Sequence, residues 1–224
     1  MKKNIWFVLA LIGSLFVFHS LFAEERFVWI GKFTESPSTD NIPSGWILEE
    51  KAGKPDIRIE KSGDFRSVRL RADASSFGLR KNLDVDLKET PYLNWKWKVT
   101  TLPDQGDFLN KDSDDQAAQV YIIFPRFPAA MNTDILGYLW ESNSKNFKKE
   151  GGSPAWVKSR VVVLQAGTRR LHQWVQEKRN VYEDYKRLFK KEPPKVGGVA
   201  IYINSQYTQA KAESSFAEIL FSTN

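Results

Sequence analysis

The feature that most constrains this chain is an alternation of apolar and polar residues with a period of two. Apolar side chains occupy every second position of the segment 92–100, and Trp95 and Trp97 are among them. Side chains two residues apart point to the same face of a β-strand, so the pattern predicts a strand with one buried and one wet face. Segments 67–71 and 83–88 repeat it. We therefore expect both tryptophans in a hydrophobic core.

Other runs are apolar on both faces, which is typical of strands in the middle of a sheet. They cover 117–124, 161–164 and 199–203, and a further run at 216–221 is expected to pair with one of them. Turn-forming residues separate the runs, and about ten strands are expected in all. The predicted fold class is all-β: an antiparallel β-sandwich of the jelly-roll or carbohydrate-module kind.

One peripheral helix is predicted near 181–191. Asn180 precedes it and Glu183 follows three residues later, which is the spacing of a capping box. Lysines occupy its last turn and two prolines follow at 193–194, so the helix has a defined end. Its stripe of Tyr182, Tyr185 and Phe189 predicts the face that lies on the sandwich.

The N-terminus has the three parts of a secretory signal peptide. A short basic start is followed by an apolar run and then by a small residue, Ala23, before a charged segment. We expect residues 1–23 to be removed and 24–224 to form a single domain, periplasmic or secreted. A retained anchor is the alternative, but the run is shorter than the roughly 20 residues of a membrane span. After cleavage no stable membrane span is expected, and the compartment disfavours nucleic acid as a partner.

Composition narrows the chemistry. The chain has no cysteine, and His172 is the one histidine left once residues 1–23 are removed. Thiol catalysis is therefore excluded and a zinc site of His and Cys is disfavoured. Carboxylates, tyrosine and basic residues remain for catalysis, and binding without catalysis is equally open.

An acidic loop offers a candidate calcium site. Asp112, Asp114 and Asp115 lie close together in the sequence, and Ca²⁺ prefers several oxygen ligands from a flexible loop. The loop lacks the glycine and terminal glutamate of an EF-hand. A solvated loop with a capping aspartate is the alternative interpretation.

Two sets of residues are candidates for ligand binding. Asn94 and Lys96 lie on the predicted wet face of the strand that carries the tryptophans. Tyr138, Trp140 and Trp156 flank a long polar, glycine-bearing segment, and long loops on sandwiches often carry function. These three rings are predicted to rim a groove.

A basic set that includes Arg69, Arg71 and Arg80 suggests an acidic partner, such as an anionic glycan or lipid headgroup. A plain solubilising face is the alternative, because basic side chains also protect edge strands.

Several motifs, in their order and spacing, resemble the core of the bacterial DUF3047 family. The similarity covers roughly 46–222, and the motifs lie at 92–99, 102–103, 111–124, 137–140, 174–185, 189 and 192–194. The resemblance implies an exported β-rich domain and no particular reaction. Members carry an acidic segment after the penultimate strand, where this chain has amides at Asn204 and Gln206.

Together these features predict a non-catalytic protein of the cell envelope that binds a glycan or another anionic ligand. The alternative is a glycan hydrolase or lyase that uses carboxylates or a tyrosine. Asp114 and Asp115 are adjacent in sequence, so on a strand they diverge and make a poor catalytic pair. This favours binding.

Overall fold

The computed structural model describes residues 25–35, 41–153 and 156–224, without the side chains of residues 130, 131, 153 and 156. The predicted signal peptide, 1–23, lies outside these residues. Within them, no helix is long and apolar enough to cross a membrane.

Across the described residues the chain is mainly β-strand. In chain order the strands are β1 (Phe27–Gly31), β2 (Ile47–Ala52), β3 (Asp56–Ser62), β4 (Phe65–Asp73), β5 (Ser76–Val85), β6 (Tyr92–Thr101), β7 (Ala118–Phe124), β8 (Asp134–Glu141), β9 (Glu150–Ser153), β10 (Trp156–Ala166), β11 (Val175–Asn180), β12 (Val196–Asn204) and β13 (Lys211–Ser222). The helices are α1 (Ala129–Asn132) and α2 (Val181–Phe189).

The strands form two sheets. One is six-stranded in the order β11-β6-β13-β4-β3, with β1 also on β13. The other is seven-stranded in the order β2-β5-β12-β7-β8-β10-β9. The described strands pair antiparallel except for β8 and β10, which run parallel. The predicted jelly-roll-like sandwich is therefore confirmed.

The core between the sheets is built on four large aromatic side chains. Trp95 stacks on Tyr138 with ring centroids 5.3 Å apart, and Trp97 contacts Trp140 at 5.7 Å. All four are at most 1 % exposed. The prediction that the two tryptophans of β6 are core residues is confirmed, and they bury against β8 of the facing sheet.

The predicted helix and its cap are confirmed. The Asn180 side chain accepts a hydrogen bond from the Glu183 amide at 3.0 Å, and the helix ends at Lys190 in the left-handed conformation. Tyr185 is fully buried, with its ring 4.5 Å from those of Phe124 and Phe189. The helix therefore packs on the end of the sandwich where β7 ends.

Two strands differ from the expectation. The run 216–221 lies in β13, which pairs with β1, β4 and β6 and not with β7, β10 or β12 of the other sheet. Arg69, predicted to lie on a wet face of β4, has a side chain only 11 % exposed and forms ion pairs with Asp56, Glu60 and Glu213. Arg80 lies on the other sheet, in β5. The basic set is thus not one patch. Arg69 is paired with carboxylates of neighbouring strands, and Arg80 lies on the other sheet.

Candidate functional site: a groove on the seven-stranded sheet

A large concave site lies on the outer face of the seven-stranded sheet. Its position follows from alternation: Val120 and Ile122 of β7 point into the core, so Gln119, Tyr121 and Ile123 point outward. The site has a volume of about 1250 Å³. We call it the groove.

Two tyrosines form the centre of its floor. Tyr121 and Tyr202 lie on the neighbouring strands β7 and β12, with ring centroids 5.8 Å apart and a T-shaped arrangement. Each lies against a glycine directly across the ladder: Tyr202 against Gly78 and Tyr121 against Gly137. The absence of side chains at both glycines leaves room for the rings on the sheet.

A carboxylate at one edge of the groove orients the Tyr202 hydroxyl. Glu49 of β2 accepts a hydrogen bond from that hydroxyl and another from Arg80 Nε at 2.6 Å. Lys51 lies over the Tyr202 ring, with its Nζ 4.9 Å from the centroid. Burial, together with the hydrogen bond to Glu49, raises the pKa of Tyr202 above its ordinary value, so its hydroxyl stays protonated.

Amide side chains follow the floor toward the other edge. Tyr121 donates its hydroxyl proton to Gln119 Oε1 at 2.7 Å, and Gln119 donates to the Gln116 carbonyl at 3.3 Å. Gln116 in turn donates to Asp114 Oδ1 at 2.9 Å, while Asn204 donates to the Asp114 carbonyl at 2.7 Å. Burial and the charge of Asp114 raise the pKa of Tyr121. The polar groups of the floor are therefore held in place before any ligand arrives.

This arrangement suits a ligand that carries many hydroxyl groups. Amide groups and hydroxyls act as both donors and acceptors. The half-buried Tyr121 ring between them offers apolar surface to C–H groups, more than Tyr202, which is 8 % exposed. Charges are mixed rather than of one sign, because Glu49 and Asp114 share the groove with Lys51, Arg80 and Lys158.

Two predicted ligand residues lie elsewhere. Asn94 and Lys96 are on the outer face of the six-stranded sheet, so they do not belong to the groove. Asn94 donates to Ser222 Oγ at 2.9 Å, and Lys96 pairs with Glu218 at 2.5 Å. Both side chains are thus in contacts within that sheet.

Tyr138 and Trp140, predicted to rim a groove together with Trp156, are core residues instead. Tyr138 and Trp140 are 0 % exposed and face the six-stranded sheet, where they pack on Trp95 and Trp97. Buried rings of this kind are not available to a ligand. Trp156 begins β10, but its side chain lies outside the described residues.

The three aspartates of the acidic loop lie in three different environments. Asp114 lines the groove. Asp115 is fully buried and accepts hydrogen bonds from the Tyr207 and Thr208 amides at 3.2 and 2.7 Å. Asp112 is exposed and lies 3.6 Å from Lys111. The described residues contain no group of three or more His, Cys, Asp or Glu side chains placed to hold a metal ion, and calcium binding stays a prediction.

Three residues that line the groove were not among the residues predicted from the sequence: Tyr121, Tyr202 and Glu49. Tyrosines within runs that are apolar on both faces look like core residues. One signal was present in the sequence. Gly78 and Gly137 lie inside strands β5 and β8, and a glycine inside a strand often marks a close approach of another group.

A family model described as "Protein of unknown function (DUF3047)" matches residues 44–220. No curated protein sequence matches the chain.

The similar solved structures are of low identity. A family 11 carbohydrate-binding module from Clostridium thermocellum, in complex with a β-1,3-1,4-mixed-linked tetrasaccharide, is 8 % identical with a TM-score of 0.47, over 87 % of this chain and 94 % of that one. A family 30 carbohydrate-binding module is 12 % identical with a TM-score of 0.45, over 87 % and 98 %. The xyloglucanase domain of NopAA, a type three effector from Sinorhizobium fredii, is 14 % identical with a TM-score of 0.46, over 80 % and 94 %.

Proposed function

The chain belongs to the DUF3047 family, and from that premise we propose that it is a non-catalytic glycan-binding protein whose ligand lies in the groove of the seven-stranded sheet. One observation carries the proposal: Tyr121 and Tyr202 form an aromatic floor between side chains already fixed by hydrogen bonds.

The size of the groove supports a ligand of several sugar rings. Its volume of about 1250 Å³ exceeds the roughly 300–1,000 Å³ typical of sites for small molecules. A site of this volume has room for several consecutive sugar rings. We therefore expect a segment of a polysaccharide rather than a single sugar.

The pre-formed polar network supports binding. Side chains that are ordered before the ligand arrives lose little conformational freedom on association. Glu49 is held by Tyr202 and Arg80, and the amides of Gln116 and Gln119 are held through the floor. Each retains further lone pairs or N–H groups for sugar hydroxyls.

The same contacts disfavour the hydrolase alternative. A hydrolase needs one carboxyl group as acid and another as base or nucleophile, facing each other across the scissile bond. Among the described residues, three carboxylates line the groove, and one of them is that of Glu50. The other two accept hydrogen bonds from neighbours: Glu49 from an arginine and a tyrosine, and Asp114 from Gln116. Glu49 and Asp114 thus serve as acceptors for neighbouring side chains, an arrangement that favours orienting a ligand over transferring protons.

The proposed site of action is outside the cytoplasm, in the periplasm or the secreted fraction. It rests on the three-part N-terminus, residues 1–23. An exported location would bring the groove into contact with polysaccharides of the cell envelope.

The test compares two glutamates in matched settings. Glu49 and Glu60 each form an ion pair with an arginine on a neighbouring strand, at 2.6 and 3.0 Å, but only Glu49 lies in the groove. Affinity electrophoresis of residues 24–224 through a panel of neutral and acidic polysaccharides identifies a ligand, and titration calorimetry then measures Kd. We expect Glu49→Gln to weaken binding about tenfold, because it loses a charged acceptor, and Glu60→Gln to leave Kd unchanged.

The same polymers are assayed for new reducing ends and unsaturated products. If the wild type releases either product and Glu49→Gln does not, the proposal is replaced by the enzyme alternative. Equal loss of affinity in both variants would place the ligand away from the groove.

A further inference from the structure

A second concave site adjoins the groove at the end where β8 begins. It has a volume of about 510 Å³ and is lined by Arg126, Asn132, Asp134, Lys158, Lys191 and Phe127 among others. Lys158 lines both the groove and this site. We call it the basic pocket.

The basic pocket carries more positive than negative charge. Among the described lining residues, Arg126, Lys158 and Lys191 stand beside one carboxylate, that of Asp134. Arg126 Nε lies 3.1 Å from Asp134 Oδ2, and Lys191 Nζ lies 2.7 Å from the same oxygen. Glu192 is close in sequence, but its carboxylate pairs with Lys186 at 3.0 Å. Cations therefore outnumber carboxylates among the described residues that line the basic pocket.

Asp134 positions these cations. It is 4 % exposed, and it accepts a further hydrogen bond from the Tyr185 hydroxyl at 2.6 Å. Burial alone would raise the pKa of Asp134, but hydrogen bonds from Lys191 and Tyr185 outweigh it and lower the pKa. Arg126 also donates to the Glu192 carbonyl at 2.9 Å. The arginine and Lys191 are thus oriented before any ligand binds.

An apolar wall stands beside the charges. Phe127 is 98 % exposed although it is a large aromatic side chain, and Val157, next to Lys158, is 89 % exposed. The two segments are linked, because Asn132 donates to the Phe127 carbonyl at 3.1 Å and accepts from Lys158 Nζ at 2.8 Å. An exposed ring beside cations offers a stacking surface for a ligand with one apolar face and one negative group.

We infer that the glycan bound in the groove is acidic, and that the basic pocket accepts the carboxylate, phosphate or sulfate group of one of its sugar rings. The inference rests on the proposed function, because it extends the same ligand beyond the end of the groove. The aromatic wall and the continuity with the groove favour a charged sugar over a free anion.

The experiment uses one polymer in two charge states: a polyuronate, and the same polymer with its carboxyl groups reduced to hydroxymethyl groups. We expect residues 24–224 to bind the acidic form at least tenfold more tightly at low salt, and the preference to shrink as ionic strength rises. Lys158→Gln keeps a donor for Asn132 but removes the charge, so it is expected to lower the preference severalfold. Lys158→Arg is expected to retain it.

The matched control is Lys98→Gln, on the outer face of the six-stranded sheet, where Lys98 lies 5.2 Å from the Trp174 ring centroid; it is expected to keep the full preference. Equal binding of the two polymers by the wild type would show that the basic pocket does not bind an acidic group. It would leave the proposal that glycans bind in the groove unaffected. If neither the wild type nor any variant binds either polymer, the result would instead contradict the proposed function itself. Binding to anionic phosphatidylglycerol vesicles, but to neither polymer, would replace the glycan with a membrane surface.

Discussion

Tyr202 lies directly over Gly78, its partner across the β12–β5 ladder. A Cβ atom at residue 78 would come within 2.5 Å of Tyr202 Cγ and 2.6 Å of the Ile201 carbonyl oxygen. The same relationship holds between Tyr121 and Gly137, where the nearest ring atom would be 2.6 Å away. Both rings depend on a glycine for their place on the floor, so the shape of the groove is encoded partly by missing side chains.

The first prediction concerns Gly78. Gly78→Ala is expected to displace the Tyr202 ring and to lower the free energy of unfolding by about 1–3 kcal/mol, the usual cost of overpacking. Denaturant unfolding measures the stability. Because the hydroxyl of Tyr202 would also leave Glu49, glycan affinity is expected to fall as well.

The matched control is Gly151→Ala. Gly151 also lies in a strand, β9, but nothing is within 4 Å of a Cβ there, so the change is expected to stay within about 0.5 kcal/mol. Equal stability of the two variants would show that the ring is not constrained by the glycine.

The second prediction separates two aspartates of the acidic loop. Asp115 is fully buried and accepts from the Tyr207 amide and from the amide and hydroxyl of Thr208. Asp115→Asn replaces one acceptor oxygen with a donor, so we expect a loss of about 1–3 kcal/mol in the free energy of unfolding. Asp112→Asn, at an exposed position, is expected to change it by less than about 0.5 kcal/mol.

The same two variants test the calcium prediction. If the loop binds Ca²⁺, millimolar Ca²⁺ raises the wild-type Tm by mass action, and the rise is reduced in both variants. An unchanged wild-type Tm would leave Asp115 with a structural role alone.

The third prediction concerns the pH dependence that Glu141 adds to stability. This side chain is 0 % exposed, and burial raises its pKa from 4.5 to about 7 although the amides of Phe108, Ser142 and Asn143 donate to it. A carboxyl whose pKa is raised on folding stabilises the protein fully below its unfolded pKa, and that contribution is lost as pH rises through the folded value.

Glu141→Gln removes this titration. The difference in free energy of unfolding, wild type minus variant, is expected to fall by up to about 3 kcal/mol between pH 4 and pH 8. Thermal or urea unfolding across that range provides the measurement. Parallel pH curves for the two proteins would rule out titration of Glu141 in this window.

The fourth prediction concerns export. When the full chain is expressed in a bacterium, the product outside the cytoplasm is expected to begin at Glu24, because the small residue Ala23 ends the apolar run. Fractionation and N-terminal sequencing provide the measurement. A membrane-bound product that starts at Met1 would contradict the prediction.

The spacing of residues within short segments of the sequence determined several strands, their buried faces and the start of the helix α2. The alternation through 92–100 predicted β6 and the burial of Trp95 and Trp97, and both are confirmed. Asn180 and Glu183 predicted the start of α2 to the residue. These features depend on neighbours within a few positions, so the period of the pattern and the capping residues contain the required information.

Only the tertiary structure decided where the groove lies. Tyr138 and Trp140 looked like rim residues but face the opposite sheet, whereas Tyr121 and Tyr202 looked like core residues but line the groove. A strand that is apolar on both faces does not show in its own sequence which face turns inward. That choice is made when β5, β12, β7 and β8 pair and the second sheet covers one side, because burial is a property of the assembled sheets.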